Sequence, residues 1–368
     1  MKRTKGVNVK HKQTIGVIGS VITAAALFTG CSSSSDAGSA ASSAPSTIAS
    51  EGAAASAPSA TPFRVGLSWN EKNIALVQAW QDYMQQLAVD QGLNIEWVIN
   101  VADNDPSRQA SNIEDLINQK VDVIVARAED SAAIGASIKA AEAAGIPFVT
   151  FDRSSSTDKP TAHVGGDSYD QALTTANGLA DILTQAGVKG QCIELQGALT
   201  DVNAVNRSKG FADVDATSDA FEIIAQVPTE WKPELFLSGA TNALRANPDA
   251  NCLMIASDFA LPSVQSALEG AGKWAPTGEG NHMWFATQDV FPEAYTAMKA
   301  NYIDVGTTYD AYAHAQELVR VLGALQAGQD PGCGADGCLA KGRVATPQTV
   351  DSLENLWSRD YNPDGTKK

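Results

Sequence analysis

The chain has 368 residues, 44% of them hydrophobic, and a formal net charge of −16 at pH 7. That length is enough for two domains of ordinary size. The acidic balance excludes generic nucleic-acid binding, which needs clustered Lys and Arg against phosphate, and otherwise speaks only of solubility.

The first stretch carries the marks of export. Lys2, Arg3, Lys5, Lys10 and Lys12 form a basic region, and residues 15–28 are an apolar run, too short for the ~20 residues of a spanning helix. The run ends Leu27-Phe28-Thr29-Gly30-Cys31. Small residues before a cysteine resemble a lipoprotein signal, so residues 1–30 are expected to be a signal peptide and Cys31 a lipidated new N-terminus. The alternative is a plain secretory signal with an incidental cysteine. Residues 31–61 are a Ser/Ala/Gly/Pro tract that has no core to bury and reads as a flexible tether.

From residue 62 strands alternate with helices. Residues 63–68 (FRVGLS) read as the first strand, with Trp69, Asn70 and Glu71 in the loop at its carboxyl end. A helix follows to Val89 on Ile74, Val77, Met84 and Leu87, and Gly92 ends it. Residues 93–100 are the second strand. Ala110, Ile113, Leu116 and Ile117 then mark one face of a helix that starts at Asp105-Pro106, an acceptor at the N-cap and a proline in the first turn. Residues 121–126 (VDVIVA) form a buried strand. A helix at 131–144 is stopped by Gly145, and 146–151 is another buried strand.

Two of these strands end in charge, at Arg127 and at Asp152-Arg153. A buried strand has no packing use for an Asp–Arg pair at its tip. The pair offers an acceptor fork and a donor fork to a polar ligand, or else closes as a local salt bridge. Residues 161–166 begin a crossing, and a helix at 169–186 is closed by Gly187. The pattern then restarts with strands at 191–195, 221–227, 252–257, 282–287 and 302–307. Helices fall between them at 203–216, 232–246, 262–271 and 292–299, a last helix at 312–327, and a short strand at 343–346. The alternation predicts an α/β fold of parallel sheets with right-handed crossovers, whose ligands lie beyond the carboxyl ends of the strands.

The run DPSRQASNIEDLINQKVDVIV leading into GIPFVTFDR resembles the periplasmic-binding-protein family of the sugar-binding, ribose- and galactose-binder type, and the resemblance extends over residues 62–350. It implies two doubly wound parallel-sheet lobes joined by a three-segment hinge, with the ligand cleft between them. The crossings would fall near Val164, near Tyr309 and at 338–343. The first lobe would comprise 62–165 with 310–340, and the second 166–309 with 341–368.

Besides Cys31 the chain has four cysteines, an even count that suits two disulfides in an exported protein. Cys333 and Cys338 flank GADG, a loop that can close on itself. The resemblance makes the strands of Cys192 and Cys252 neighbours, which suits a second bridge; two buried free thiols are the alternative. The spacings fit no zinc site, and no metal or cofactor is expected.

The resemblance also implies a ligand set. Sugar hydroxyls both donate and accept, so charged planar side chains saturate them, and a sugar's C–H face packs on an aromatic ring. Asp152 and Arg153 match the family's ligand-contacting pair, Arg207 its arginine in R-x-x-G-F, and Asp289 the aspartate before a P-E-A helix start. Trp231 stands where an aromatic lines the cleft, Ser257-Asp258 where the family often has Asn-Asp, and Tyr309 where many members carry Gln at the hinge. Asp258 also suits a plain helix N-cap. Asn73-Ile74-Ala75-Leu76 departs from the usual Asn-Pro-Phe-Phe, and Trp69, beside Asn70, is the expected substitute aromatic unless it is a core residue. Arg127 departs too, where many members carry Asn or an apolar residue; it either faces the cleft or pairs with Glu129 or Asp130. Three guanidinium groups would welcome an acidic sugar or phosphate, but Asp152, Asp258 and Asp289 offset them, so a neutral sugar leads.

The expected function is a non-enzymatic, lipid-anchored solute-binding protein of an ABC importer, monomeric, with a monosaccharide ligand and a membrane permease as partners. No GxxxxGK[ST] occurs, so the ATPase would be a separate protein. Alternatives are a sugar sensor feeding a chemoreceptor or histidine kinase, or a binder of a sugar acid or a polyol such as inositol. A repressor of the lactose-repressor type shares the fold but needs an N-terminal helix-turn-helix. An enzyme would need a catalytic motif that the sequence does not display.

Overall fold

The computed structural model describes residues 61–368; the expected signal peptide at 1–30, Cys31 and residues 31–60 of the expected tether lie outside the described residues. The first lobe opens with β1 (Phe63–Trp69), α1 (Ala75–Asp90), β2 (Ile95–Val101), α2 (Pro106–Asn118), β3 (Val123–Ala126), α3 (Ile134–Ala143), β4 (Phe148–Phe151) and β5 (Ala162–Gly166). The second contains α4 (Ser168–Ala186), β6 (Gly190–Gln196), α5 (Val202–Asp215), β7 (Phe221–Pro228), α6 (Pro233–Ala246), β8 (Cys252–Ile255), α7 (Leu261–Gly270), β9 (Trp284–Asp289), α8 (Pro292–Lys299) and β10 (Val305–Thr308). The chain then returns through α9 (Ala311–Gln326) and β11 (Cys338–Ala340), and closes with β12 (Val344–Ala345), a short 3-10 turn at Val350–Ser352 and α10 (Trp357–Asp360).

Each lobe holds one six-stranded sheet, in the orders β11-β5-β4-β3-β1-β2 and β12-β10-β9-β8-β6-β7. The pairings are parallel except β10 with β12. These are the parallel α/β sheets that the strand–helix alternation predicts, doubly wound in two lobes as the family resemblance implies. Local signals set the helix ends. Asp105 accepts from the amides of Ser107 and Arg108 at the start of α2, and Asp167 accepts from Asp170 N at the start of α4. Gly187 ends α4 at φ 67°, the left-handed conformation that glycine adopts without cost.

The strand β11 was not expected in the loop around the 333–338 cysteines; it adds itself beside β5, with Cys338 opposite Val164. Both cysteine pairs are bridged. Cys192 and Cys252 sit directly opposite in β6 and β8, with Cα atoms 4.2 Å apart. Cys333 and Cys338 close the turn before β11, 4.8 Å apart.

The tail departs from its expected place wholly in the second lobe. Val350 and Leu356 belong to that lobe's core, but Trp357 and Tyr361 are buried in the core of the first, among Trp80, Leu318 and Leu322. Tyr361 Oη donates to Asp82 on α1 at 3.1 Å. The chain therefore crosses between the lobes a fourth time, after Leu356, because the large aromatic surface of Trp357 and Tyr361 has its hydrophobic home on α1 and α9. Among the described residues no helix is long and apolar enough to cross a membrane.

Candidate functional site

The carboxyl ends of the strands from both sheets meet at one cavity of about 50 Å³. The first lobe contributes Glu71, Ile74 and Leu76 after β1, Arg127 after β3, and Asp152 and Arg153 after β4. The second contributes Asp201, Asn203 and Arg207 at the start of α5, Trp231 after β7, Ser257 and Phe259 after β8, and Asp289 and Phe291 at the end of β9. Tyr309 lines it from the hinge.

The backbone turns sharply to present several of these groups. Asp152 (φ 64°), Trp231 (φ 54°), Asp289 (φ 85°) and its neighbour Val290 (φ 57°) all sit in the left-handed region. That region is costly for residues with a Cβ, most of all for β-branched valine, and such strain collects where a strand tip must aim a side chain.

Three guanidinium groups converge here, each answered by a carboxylate. Arg127 Nε donates to Asp152 Oδ2 at 2.5 Å, and its Nη1 donates to Asn70 Oδ1 at 2.6 Å. Its charge lies 5.7 Å from the ring centre of Trp80. Arg153 Nε stands 2.8 Å from Asp201 Oδ2, and its Nη1 donates to Ala128 O at 3.1 Å. Arg207 grips Asp289 with both terminal nitrogens, at 2.6 and 3.1 Å, donates to Ala256 O at 2.5 Å, and lies over the Tyr309 ring at 5.2 Å. Such two-point pairs add geometry to charge.

Asp152 is the hub. Its carboxylate accepts from Arg127, from the Tyr309 hydroxyl and from Asn203 Nδ2 at 3.0 Å. Burial alone would push its pKa up, but Arg127, Arg153 and the Tyr309 hydroxyl overcome that and hold it below the usual carboxylate range. Burial pushes Asp289 up, and Arg207 only partly pulls it back.

Eight residues singled out in the sequence line the cavity: Arg127, Asp152, Arg153, Arg207, Trp231, Ser257, Asp289 and Tyr309. Arg127 faces it and does not pair with Glu129 or Asp130 at the surface. Three others do not line it. Trp69 is fully buried in the first lobe's core, stacked on Trp80 at 6.2 Å and edge-on to Phe151, so it lends no aromatic face to the cleft. Asn70 lies behind Arg127, accepting from that guanidinium and donating to Glu129. Asp258 is neither a lining group nor the cap of α7; its carboxylate ties down the turn after β9 by accepting from Val290 N, Phe291 N and Thr287 Oγ1. The apolar wall comes instead from Ile74, Leu76, Phe259 and Phe291 beside Trp231.

Sequence reasoning passed over Asp201 and Asn203. The available signal was position: they follow the β6 tip and open α5, where Asp201 caps the helix by accepting from Asn203 N at 2.9 Å. Their side chains reach across the cleft, and no local pattern shows that.

Two doubly wound lobes closing their strand tips on a polar, strained cleft define a periplasmic-binding-protein fold of type I. The chain belongs to the family described as periplasmic binding protein domain, whose model matches residues 65–330. It is 27% identical over 211 residues to the ribose import binding protein RbsB of Bacillus subtilis, a match covering 57% of this chain and 67% of that protein. It is 29% identical over 181 residues to the xylitol-binding protein of Mycolicibacterium smegmatis, covering 49% of this chain and 51% of that one. The matched stretches thus span about half to two thirds of those relatives. Among solved structures, an ABC transporter solute binding protein from Bacillus halodurans with bound myo-inositol superposes with a TM-score of 0.70 at 23% identity, over 80% of this chain and 97% of that one. A periplasmic solute binding protein from Actinobacillus succinogenes with bound D-allose gives 0.69 at 20% identity, over 80% and 100%.

Proposed function

We propose that this protein is the extracytoplasmic solute-binding component of an ABC importer, capturing a neutral polyhydroxy ligand, a monosaccharide or polyol, between its lobes. The observation that carries the reading is the charge pairing of the cavity. Arg127, Arg153 and Arg207 are each already matched by Asp152, Asp201 and Asp289 at 2.5–2.8 Å. An anionic ligand would have to displace a buried carboxylate from its guanidinium, whereas hydroxyls can add to the remaining lone pairs and N–H groups of the pairs. Trp231 and Phe259, Phe291, Ile74 and Leu76 supply the apolar face that a carbon skeleton needs.

The relatives named for ribose import and xylitol binding, and the neighbours holding myo-inositol and D-allose, support the ligand class. In this reading Cys31 carries the lipid anchor, residues 31–61 tether the monomeric receptor to the membrane, and the closed form delivers its ligand to a permease driven by a separate ATPase.

A thermal-shift screen of residues 62–368 against neutral monosaccharides, polyols and sugar acids tests it. A ligand bound only by the folded state adds about 4 kcal/mol at a thousand-fold excess over Kd. A clear rise with one or two neutral compounds, lost in Asp289→Ala, is expected. A response to sugar acids alone would count against the neutral class, and no response across the panel would sink the reading.

A further inference from the structure

Trp231, the largest aromatic side chain lining the cavity, is held in place by its own lobe. The loop that carries it is tied to the tip of β6, where Thr229 N and Thr229 Oγ1 both donate to Gln196 O, at 3.2 and 2.6 Å. Glu230 and Trp231 then turn through the left-handed region, at φ 51° and 54°. The indole Nε1 donates to Asp201 Oδ2 at 2.9 Å, and the ring meets Phe259 edge-on with centres 6.2 Å apart. Gln196, Asp201 and Phe259 all belong to the second lobe.

The indole rests against Gly197, which is buried immediately after β6. A Cβ on Gly197 would fall inside the ring, and the three atoms nearest to it are all indole carbons, Cζ2, Cη2 and Cε2. The backbone itself does not ask for glycine here, because Gly197 lies outside the left-handed region. The obstacle to alanine is therefore the indole. An overlap of this kind is relieved cheaply only when the neighbour is the free end of a flexible side chain. Here the loop, the N–H and the ring edge are each held, so a methyl group has to move the indole from its place.

We infer that Gly197 is a positioning residue for the ligand: the space left by its missing side chain seats Trp231 and fixes the indole as a ready-made surface on which a carbon skeleton packs. The ligand-facing part rests on the proposed function and deepens it, whereas the seat exists without any ligand.

The wild type is compared with Gly197→Ala, Trp231→Phe and the double variant. Circular dichroism and melting temperature establish that each is folded. Should Gly197→Ala not fold, recovery in the double variant supports the seat and an equally unfolded double variant overturns it. Fluorescence then needs no ligand: wild type minus Trp231→Phe isolates the emission of Trp231, and Gly197→Ala minus the double variant isolates it beside alanine. A shifted maximum and stronger acrylamide quenching beside alanine are expected. Superimposable difference spectra would overturn the seat. Isothermal titration with ribose, xylitol, myo-inositol and D-allose tests the ligand-facing part. The tightest of these is expected to lose about tenfold in affinity in Gly197→Ala. It should lose less than about twofold when Gly197→Ala is added to Trp231→Phe, because the ring that collides is gone. Equal losses in both backgrounds, or no loss in either, would overturn the positioning role and leave the proposed function standing. Absence of binding by all four compounds to the wild type would overturn the proposed function and the ligand-facing part together, while the emission comparison still decides the seat.

Discussion

Arg153, at the tip of β4 in the first lobe, and Asp201, at the cap of α5 in the second, stand 2.8 Å apart across the cleft, and both are buried. Next to them Ser131 N donates to Thr200 O at 3.1 Å, and Val202 N to Ser131 Oγ at 3.3 Å. The closed arrangement is thus bonded by the chain itself. Asp201→Asn keeps an acceptor for the helix cap and the indole but removes the charge that answers Arg153. Glu129 Oε2, 3.7 Å from Arg153 Nη1, still answers part of that charge, so the loss falls below the about 3–5 kcal/mol of a fully uncompensated buried partner. The unliganded variant should populate a more open form, read as a larger radius of gyration in small-angle scattering. An unchanged radius would argue that this pair does not hold the lobes.

The two-point contact between Arg207 and Asp289 should matter more for ligand than for fold. Arg207→Lys keeps the charge and loses the fork, and the carbonyl of Ala256 loses its donor. Disrupting a buried hydrogen-bonded charge pair costs about 2–5 kcal/mol, so affinity for the best ligand should drop on the order of a hundredfold by titration. Retained affinity would show that the ligand does not depend on this geometry.

A second buried pair predicts a pH dependence away from the cleft. His282 Nε2 lies 2.9 Å from Asp304 Oδ2, while Nδ1 meets the carbonyl of Ala275 at 2.7 Å. Burial lowers the histidine pKa, but the bond and charge of Asp304 outweigh it and raise it above the ordinary value. A raised folded value means that the contribution is full below the unfolded histidine pKa of ~6.5 and is lost as pH rises through the folded value. His282→Gln should therefore lower the melting temperature more at pH 5.5 than at pH 9 (both about one unit or more from ~6.5). An equal loss at both would refute the assignment.

The bridge between Cys192 and Cys252 closes a separation of 60 residues between neighbouring strands β6 and β8. Removing a disulfide of that span costs about 2–5 kcal/mol. The double serine variant should unfold at lower urea with little change in ligand affinity, because the bridge lies in the core behind α4 and not among the cavity residues. A large loss of affinity in the folded variant would mean that the bridge also shapes the cleft.

What could be read early was local. The cap at Asp105, the stop at Gly145 and the buried runs at 121–126 and 146–151 each depend on a few adjacent residues, and the helices and strands form there. Boundaries slipped by one to three residues, as with β2, found at Ile95–Val101 instead of 93–100, because strand ends are set by the neighbouring strand. Trp69 shows the harder case. A tryptophan at a strand tip has the same sequence appearance whether it faces a ligand or its own core, and only the stacking of Trp80 and Phe151 decides for the core.

By itself the amino-acid sequence determined the alternation of strand and helix, the parallel character of both sheets and the polar strand tips, since each follows from periodicity, capping and turn chemistry within a short window. Only the tertiary structure decided that Asn203 and Asp201 cross the cleft to Asp152 and Arg153, that Trp69 and Asp258 stand behind the site, and that Trp357 and Tyr361 return to the first lobe. Those outcomes depend on which surfaces two lobes bring together, 50 residues apart and more in the chain for Asn203 and Asp152 (|i−j| 51). Burial and charge compensation select such contacts only once the whole fold exists.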